Sequence, residues 1–69
     1  MLILHRYENE SIIINQDIII KICELNSKQV KLGIIAPKSY QVHREEIFKR
    51  IHGYGINDLI KKLGYMESP

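Results

Sequence analysis

The chain has 69 residues, a net charge of +2 at pH 7 and 45% apolar residues, so it forms one domain at most. Domains this small usually need a disulfide, a metal or a partner subunit to be stable. Cys23 is the single cysteine, which excludes an internal disulfide and fits a reducing compartment. Oligomerisation is therefore the expected source of stability.

Targeting and charge give two further expectations. The longest uncharged apolar run is far shorter than the roughly 18 residues of a membrane span. The first residues lack the basic and then apolar pattern of a signal peptide, so we expect a cytoplasmic protein without membrane contact. The small positive charge is compatible with a few placed contacts to nucleic acid, but not with extensive phosphate coating.

The first 42 residues predict five short strands. Isoleucine dominates the apolar residues here, and β-branched side chains favour strands. Asn9 and Asn15 suit turns because Asn tolerates positive φ. Val30, Leu32 and Ile34 alternate with more polar residues, so one face packs and the other is solvated. The predicted strands are residues 2–7, 12–14, 18–25, 29–35 and 39–42.

Two helices follow. Residues 44–51 place Ile47 and Ile51 four apart on one face, and Gly53 and Gly55 are expected to end this helix. A second short helix is predicted over 57–63, with Asn57 as its N-cap and Gly64 after its last turn. Residues 65–69 are expected to be a frayed tail.

One small helix cannot cover a five-stranded sheet, and its edge strands would stay open to other chains. A dimer in which strands cross between subunits removes both difficulties.

Three motifs carry a family resemblance. They are Leu2-Ile3-Leu4 with Arg6, Gly33 with Ala36-Pro37-Lys38, and Val42-His43-Arg44-Glu45-Glu46-Ile47. In this order and at these spacings they resemble the carbon storage regulator (CsrA/RsmA) family of bacterial post-transcriptional regulators. The resemblance runs without a gap from residue 1 to about residue 51.

The resemblance implies a mainly β fold with C-terminal helices, built as an interleaved, strand-swapped homodimeric β-barrel or sandwich. Strand one of each subunit would lie beside strand five of its partner, giving two equivalent RNA sites. Each site would bind a GGA-containing hairpin loop in an mRNA leader. The results would be ribosome-binding-site occlusion or altered mRNA stability, with titration by small regulatory RNAs.

The resemblance divides the chain into an RNA-binding domain, 1–52, and a C-terminal extension, 53–69. The helix at 57–63 is expected to pack on the dimer body or to bind a regulatory antagonist protein.

The resemblance also assigns RNA contacts. Arg44 is the leading candidate, because a guanidinium can bind guanine or phosphate bidentately or stack on a base; a solvated arginine at a helix start is the alternative. Leu4 would contact a base or belong to the core, and Arg6 and Lys38 would contact phosphates or be plain surface charges. The full set is Leu4, His5, Arg6, Ala36, Pro37, Lys38, Val42, His43 and Arg44.

No metal, cofactor or catalytic role is predicted. His5, His43 and His52 lack a close-spaced set of Cys or carboxylate ligands. No nucleophile triad, paired-carboxylate motif or Gly-rich phosphate loop is present, so we expect a protein that is not an enzyme. His5 stands where relatives commonly carry Thr.

Several positions depart from the family pattern. Relatives usually carry Gly at the positions of Asn9, Asn15, Glu24 and Ser27. Tyr7 and Lys31 each stand where Arg is usual, which should weaken attraction to phosphates. We therefore expect an altered RNA preference or affinity.

Two other functions stay open. One is a swapped-hairpin DNA-binding transcription regulator. The other is a protein-interaction module whose RNA edge has decayed and whose C-terminal helix binds the partner.

Overall fold

The computed structural model describes Met1–Gly64, and the predicted frayed tail, 65–69, lies outside the described residues. The fold is mainly β with C-terminal helices, as predicted. Its elements are β1 Ser11–Ile14, β2 Ile18–Leu25, β3 Val30–Ile35, α1 Glu45–His52 and α2 Ile56–Leu63. The second, third and fourth predicted strands and both predicted helices are confirmed.

The first and fifth predicted strands do not form in the single chain. Over residues 1–64, neither 2–7 nor 39–42 is paired as a strand, and the sheet has three strands in the order β1-β2-β3. A strand is defined by its ladder with a neighbour. The single chain therefore supplies three of the five expected strands and leaves β1 and β3 as sheet edges.

A tight turn joins β1 to β2. The Asp17 amide donates to the Ile14 carbonyl at 3.3 Å, and the two residues between them, Asn15 and Gln16, have φ of 53° and 65°. A type I′ turn requires positive φ at both central residues. Hairpins favour this turn because its backbone twist matches that of the two strands it joins. The prediction for Asn15 is confirmed, and so is that for Asn9, with φ of 68°. Gln16 was not predicted.

The hairpin between β2 and β3 contains a bulge. Its turn is organised by Asn26, whose Oδ1 accepts hydrogen bonds from the Lys28 and Gln29 amides, each at 2.9 Å. The register shifts between Ile22 and Glu24, so Cys23 is the extra residue. A Cβ added to Gly33 would lie 3.1 Å from the Cys23 Sγ, which shows that the glycine leaves room for the bulged thiol.

The strand pairing places most of the aliphatic strand residues on one side of the sheet. Ile12 pairs with Ile20, which pairs with Ile34 in β3, and directly paired residues point to the same face. Extending this register along each strand defines an aliphatic face with no polar member: Ile12, Ile14, Ile18, Ile20, Ile22, Leu25, Val30, Leu32 and Ile34.

No side chain between Met1 and Gly64 is buried. Ile14, Leu32 and Ile34 of the aliphatic face are 45%, 47% and 44% exposed. Covering apolar surface is the main favourable term in folding. The described chain thus presents one side of a hydrophobic core rather than a complete one.

The described residues form two compact units. One is Leu4–Tyr40 and contains the sheet; the other joins Met1–Ile3 to the described residues from Gln41 onward and contains both helices. None of the described helices is long and apolar enough to cross a membrane.

Aromatic side chains connect α1 to the segment before α2. The Phe48 ring lies 4.4 Å from that of His52 and 5.4 Å, edge to face, from that of Tyr54, measured between centroids. The Lys62 Nζ lies 5.6 Å from the centre of the Tyr54 ring, within cation–π range. Lys62 therefore ties α2 to this cluster.

The predicted cap of α2 is wrong. The N-cap residue is Gly55, in an extended conformation, and Asn57 lies inside the first turn of the helix. The helix begins at Ile56 because the Gly55 carbonyl already accepts from the Leu59 amide at 3.1 Å. Gly64 does end this helix, with φ of 59°, as predicted.

Gly53 gives a testable prediction for α1. It caps the helix with φ of 81°, and its amide donates to the Lys49 carbonyl at 2.8 Å. Ala disfavours this left-handed conformation, so Gly53→Ala should lower the free energy of unfolding by about 1 kcal/mol. Gly53→Asn should lose less than about 0.5 kcal/mol, because Asn tolerates positive φ. Urea unfolding measures both; equal losses would contradict the conformational explanation.

Candidate nucleic-acid interface

The first group of nominated residues lies in the N-terminal segment. Leu4, His5 and Arg6 line one open concavity of about 420 Å³ together with Tyr7. All four residues are exposed, Leu4 by 54%. An apolar side chain, an imidazole and a guanidinium thus share one surface depression.

Glu10 organises this segment through a single carboxylate oxygen. Glu10 Oε1 lies 3.2 Å from Arg6 Nη2 and accepts a 2.8 Å hydrogen bond from the Tyr7 amide. Arg6 also donates to the His5 carbonyl at 3.0 Å and to the Ser11 carbonyl at 3.4 Å. The guanidinium is therefore oriented before any ligand arrives.

The turn that carries Glu10 is anchored to β2. The Asn9 amide donates to the Ile22 carbonyl at 2.6 Å, and the Ile22 amide donates to the Glu10 carbonyl at 2.9 Å. Glu8 Oε1 accepts from the Leu25 amide at 2.9 Å. These bonds continue the β1–β2 ladder toward the N-terminus. The turn that follows Arg6 and Tyr7 is therefore bonded to the sheet.

The second group, Ala36, Pro37 and Lys38, follows directly after β3. Ala36 and Pro37 are half-buried, and Lys38 is exposed. The Tyr40 amide donates to the Pro37 carbonyl at 3.0 Å, which closes a turn. Pro37 lacks an amide hydrogen and so ends the pairing of β3.

The third group, Val42, His43 and Arg44, leads into α1. All three are exposed, and Arg44 is the N-cap residue. Its carbonyl accepts from the Ile47 and Phe48 amides at 3.0 and 2.9 Å, while its side chain makes no capping bond. The Arg44 guanidinium therefore does not help to cap α1.

His43 faces a different environment from its neighbours. It lines a cleft of about 350 Å³ together with Gln41, Glu45, Phe48, Ile56 and Leu59. Val42 and Arg44 are not among the lining residues. This favours the interpretation that His43 orients the junction before α1.

The two nominated arginines each lie near a carboxylate. Arg44 Nε is 3.6 Å from Glu46 Oε1, with the side chains 79% and 64% exposed. Exposed pairs of this kind contribute about 0–1 kcal/mol. A charge-assisted hydrogen bond to phosphate or guanine is stronger, so a ligand can replace Glu46 at little cost.

Metal ligands are not gathered in the described part of the chain. No group of three or more residues among His, Cys, Asp and Glu is placed to hold a metal ion over residues 1–64.

Comparison with known proteins identifies the family. Residues 1–53 match the model of the CsrA global regulator protein family. The chain belongs to the CsrA family.

Two CsrA relatives show the extent of the similarity. The translational regulator CsrA of Lachnospira eligens is 53% identical over 51 residues, covering 74% of this chain and 70% of that protein. The translational regulator CsrA of Leptospira biflexa is 49% identical over 51 residues, covering 74% of this chain and 65% of that protein. The family-model match over residues 1–53 includes every nominated RNA-contacting residue and ends before α2.

Sequence reasoning overlooked Glu10 and gave Tyr7 a passive role. An acid four residues after Arg6 is visible in the sequence. Its contact with Arg6 depends on the turn at Asn9, where positive φ reverses the chain.

Proposed function

We propose that the chain is a translational regulator that binds GGA-containing hairpin loops in mRNA leaders, and that it acts as a homodimer. The observation that carries this proposal is the match to the CsrA family over residues 1–53. That match contains all nine nominated residues, from Leu4 to Arg44, and seven of the nine are exposed.

The homodimer is supported by the uncovered aliphatic face and the unpaired segments of the single chain. An aliphatic face of nine residues without a buried member requires a cover. Two such faces packed against each other would form the layered core of a sandwich. Pairing of 2–7 with 39–42 of a second copy would supply the two strands that the single chain lacks and would close the open edges.

The chemistry of the nominated groups suits unpaired RNA. Sequence-specific proteins read RNA mostly in loops, where splayed bases expose their hydrogen-bonding edges. Backbone groups of an unpaired strand edge and the donors of Arg44 can read purine edges, while Arg6 and Lys38 meet phosphates. Two phosphate contacts per site would give a slope of log affinity against log salt of about −1.4.

The decisive test is mass measurement of the free protein followed by titration with one hairpin. We expect a dimer by sedimentation and a stoichiometry of two GGA hairpins per dimer. Changing GGA to CCA should remove most of the binding, and duplex DNA at matched salt should bind far more weakly. A folded monomer would contradict the dimer, and equal affinity for both RNAs would contradict sequence recognition.

Under this proposal the partners are mRNA, small regulatory RNAs rich in GGA, and a second copy of the chain. Residues 1–52 would form the RNA-binding domain, and the extension that contains α2 would be available to a regulatory protein. The proposal involves no cofactor or metal. The protein would work in the cytoplasm, where translation occurs.

A further inference from the structure

We infer that Tyr7 is a base-stacking residue of the RNA site, where it binds an unpaired nucleotide next to the GGA element. The inference rests on the proposed function and deepens it, because it assigns a residue and a mode of recognition outside the nominated set. Its basis is the combination of an unusually exposed ring, a clamped backbone and a shared concavity.

Tyr7 is 80% exposed, a larger fraction than for any other large hydrophobic residue between Met1 and Gly64. Over residues 1–64 its ring takes part in none of the aromatic pairs or cation–π contacts. The other aromatic interactions in the described chain lie in the cluster of Phe48, His52 and Tyr54. Tyr is enriched at binding interfaces because its ring supplies apolar contact area while its hydroxyl can stay hydrated.

The Tyr7 backbone is fixed although its side chain is free. Its amide donates to Glu10 Oε1 at 2.8 Å, and its carbonyl accepts from the Glu10 amide at 3.1 Å. The turn so closed is bonded to β2 through Asn9 and Ile22. A ring on a fixed backbone loses only side-chain freedom when a base stacks on it, which lowers the entropic cost of binding.

The neighbours of Tyr7 match a nucleotide in chemistry. Leu4, His5 and Arg6 line the same concavity as Tyr7 in the single chain, and His5 shares the Tyr7 face once 2–7 pairs as a strand. The Arg6 guanidinium, held by Glu10 at 3.2 Å, is available to the phosphate of the same nucleotide. Because every base has a π-face, the Tyr7 position would accept any base without salt dependence.

The test measures binding of a labelled GGA hairpin to the full chain by fluorescence anisotropy over a range of salt concentrations. Tyr7→Leu should weaken binding by about 5- to 100-fold, the range for losing one aromatic–base stack. Tyr7→Phe, the matched control, should stay within about twofold, because it keeps the ring. The slope of log affinity against log salt should be the same for all three proteins, because stacking releases no counterions.

Abasic RNAs locate the stacked nucleotide. Removing one particular loop base beside GGA should weaken binding to the wild type as much as Tyr7→Leu does. The same removal should leave the affinity of Tyr7→Leu unchanged within about twofold. As an independent readout, a hairpin with 5-iodouracil at that position should photocross-link to Tyr7, as mapped by mass spectrometry.

The outcomes separate the two proposals. Wild-type binding that Tyr7→Leu leaves unchanged, or cross-linking only to other residues, would overturn the stacking role and leave the proposed function standing. Failure of the folded wild type to bind the GGA hairpin would overturn both. A parallel loss with Tyr7→Phe would assign the effect to the hydroxyl and also refute stacking.

Discussion

Ile20→Asp should abolish the folded dimer. Ile20 lies at the centre of the aliphatic face, paired with Ile12 on one side and Ile34 on the other. A carboxylate there would be enclosed by aliphatic side chains once two copies pack, and an unpaired buried charge is strongly disfavoured. We expect a loss of about 4 kcal/mol or more in the free energy of unfolding, visible as a disordered circular dichroism spectrum and a monomer in sedimentation.

The matched control is Ile19→Asp. Ile19 is the adjacent residue of the same strand but points to the opposite face, with Ile13 and Ile35 as its paired neighbours. Its substitution should cost about 1 kcal/mol of strand preference and packing and should leave the dimer intact. Equal effects of the two substitutions would refute the assignment of the aliphatic face as the dimer core.

Arg44→Ala should weaken binding of a GGA hairpin by about 1–3 kcal/mol, or roughly 5- to 150-fold. The exposed guanidinium is held by no more than the 3.6 Å pair with Glu46, so its loss should not disturb α1. Isothermal titration with a single-site hairpin measures the effect, and circular dichroism checks the fold.

Arg50→Ala provides the control for Arg44→Ala. Arg50 is also exposed, but it lies in the last turn of α1, and its substitution removes the same charge. The affinity of this variant for the hairpin should fall by less than threefold, because Arg50 lies outside the nominated contacts. If both variants bind like wild type, Arg44 is not an RNA contact; if both lose affinity equally, the arginines act through net charge alone. Absence of hairpin binding by the wild type itself would favour the protein-interaction module.

The sequence was most informative where the pattern is local. The alternation of Val30, Leu32 and Ile34 predicted β3, and the run from Ile18 predicted β2. Asn9, Asn15 and the two glycines after the helices were placed correctly because positive φ depends mainly on the residue itself. The family resemblance from the three motifs was confirmed over residues 1–53.

Features that depend on pairing between distant residues were less predictable. Gln16 takes positive φ because the turn between two registered strands demands it. The bulge at Cys23 follows from the register with β3 and from the space at Gly33. The residues 2–7 and 39–42 contain strand-like sequence, yet a strand needs a neighbour that the single chain does not provide. The individual RNA contacts stay predictions until binding is measured.

In the proposed dimer, the open aliphatic face makes the amount of folded protein depend on chain concentration. No side chain between Met1 and Gly64 is buried, so most of the apolar surface is left for the second copy to cover. Each tenfold rise in concentration would then add about 1.4 kcal/mol to the two-chain folding equilibrium. At low concentration the unfolded chains would be degraded by proteases, so the regulator would accumulate only above a minimum level of synthesis.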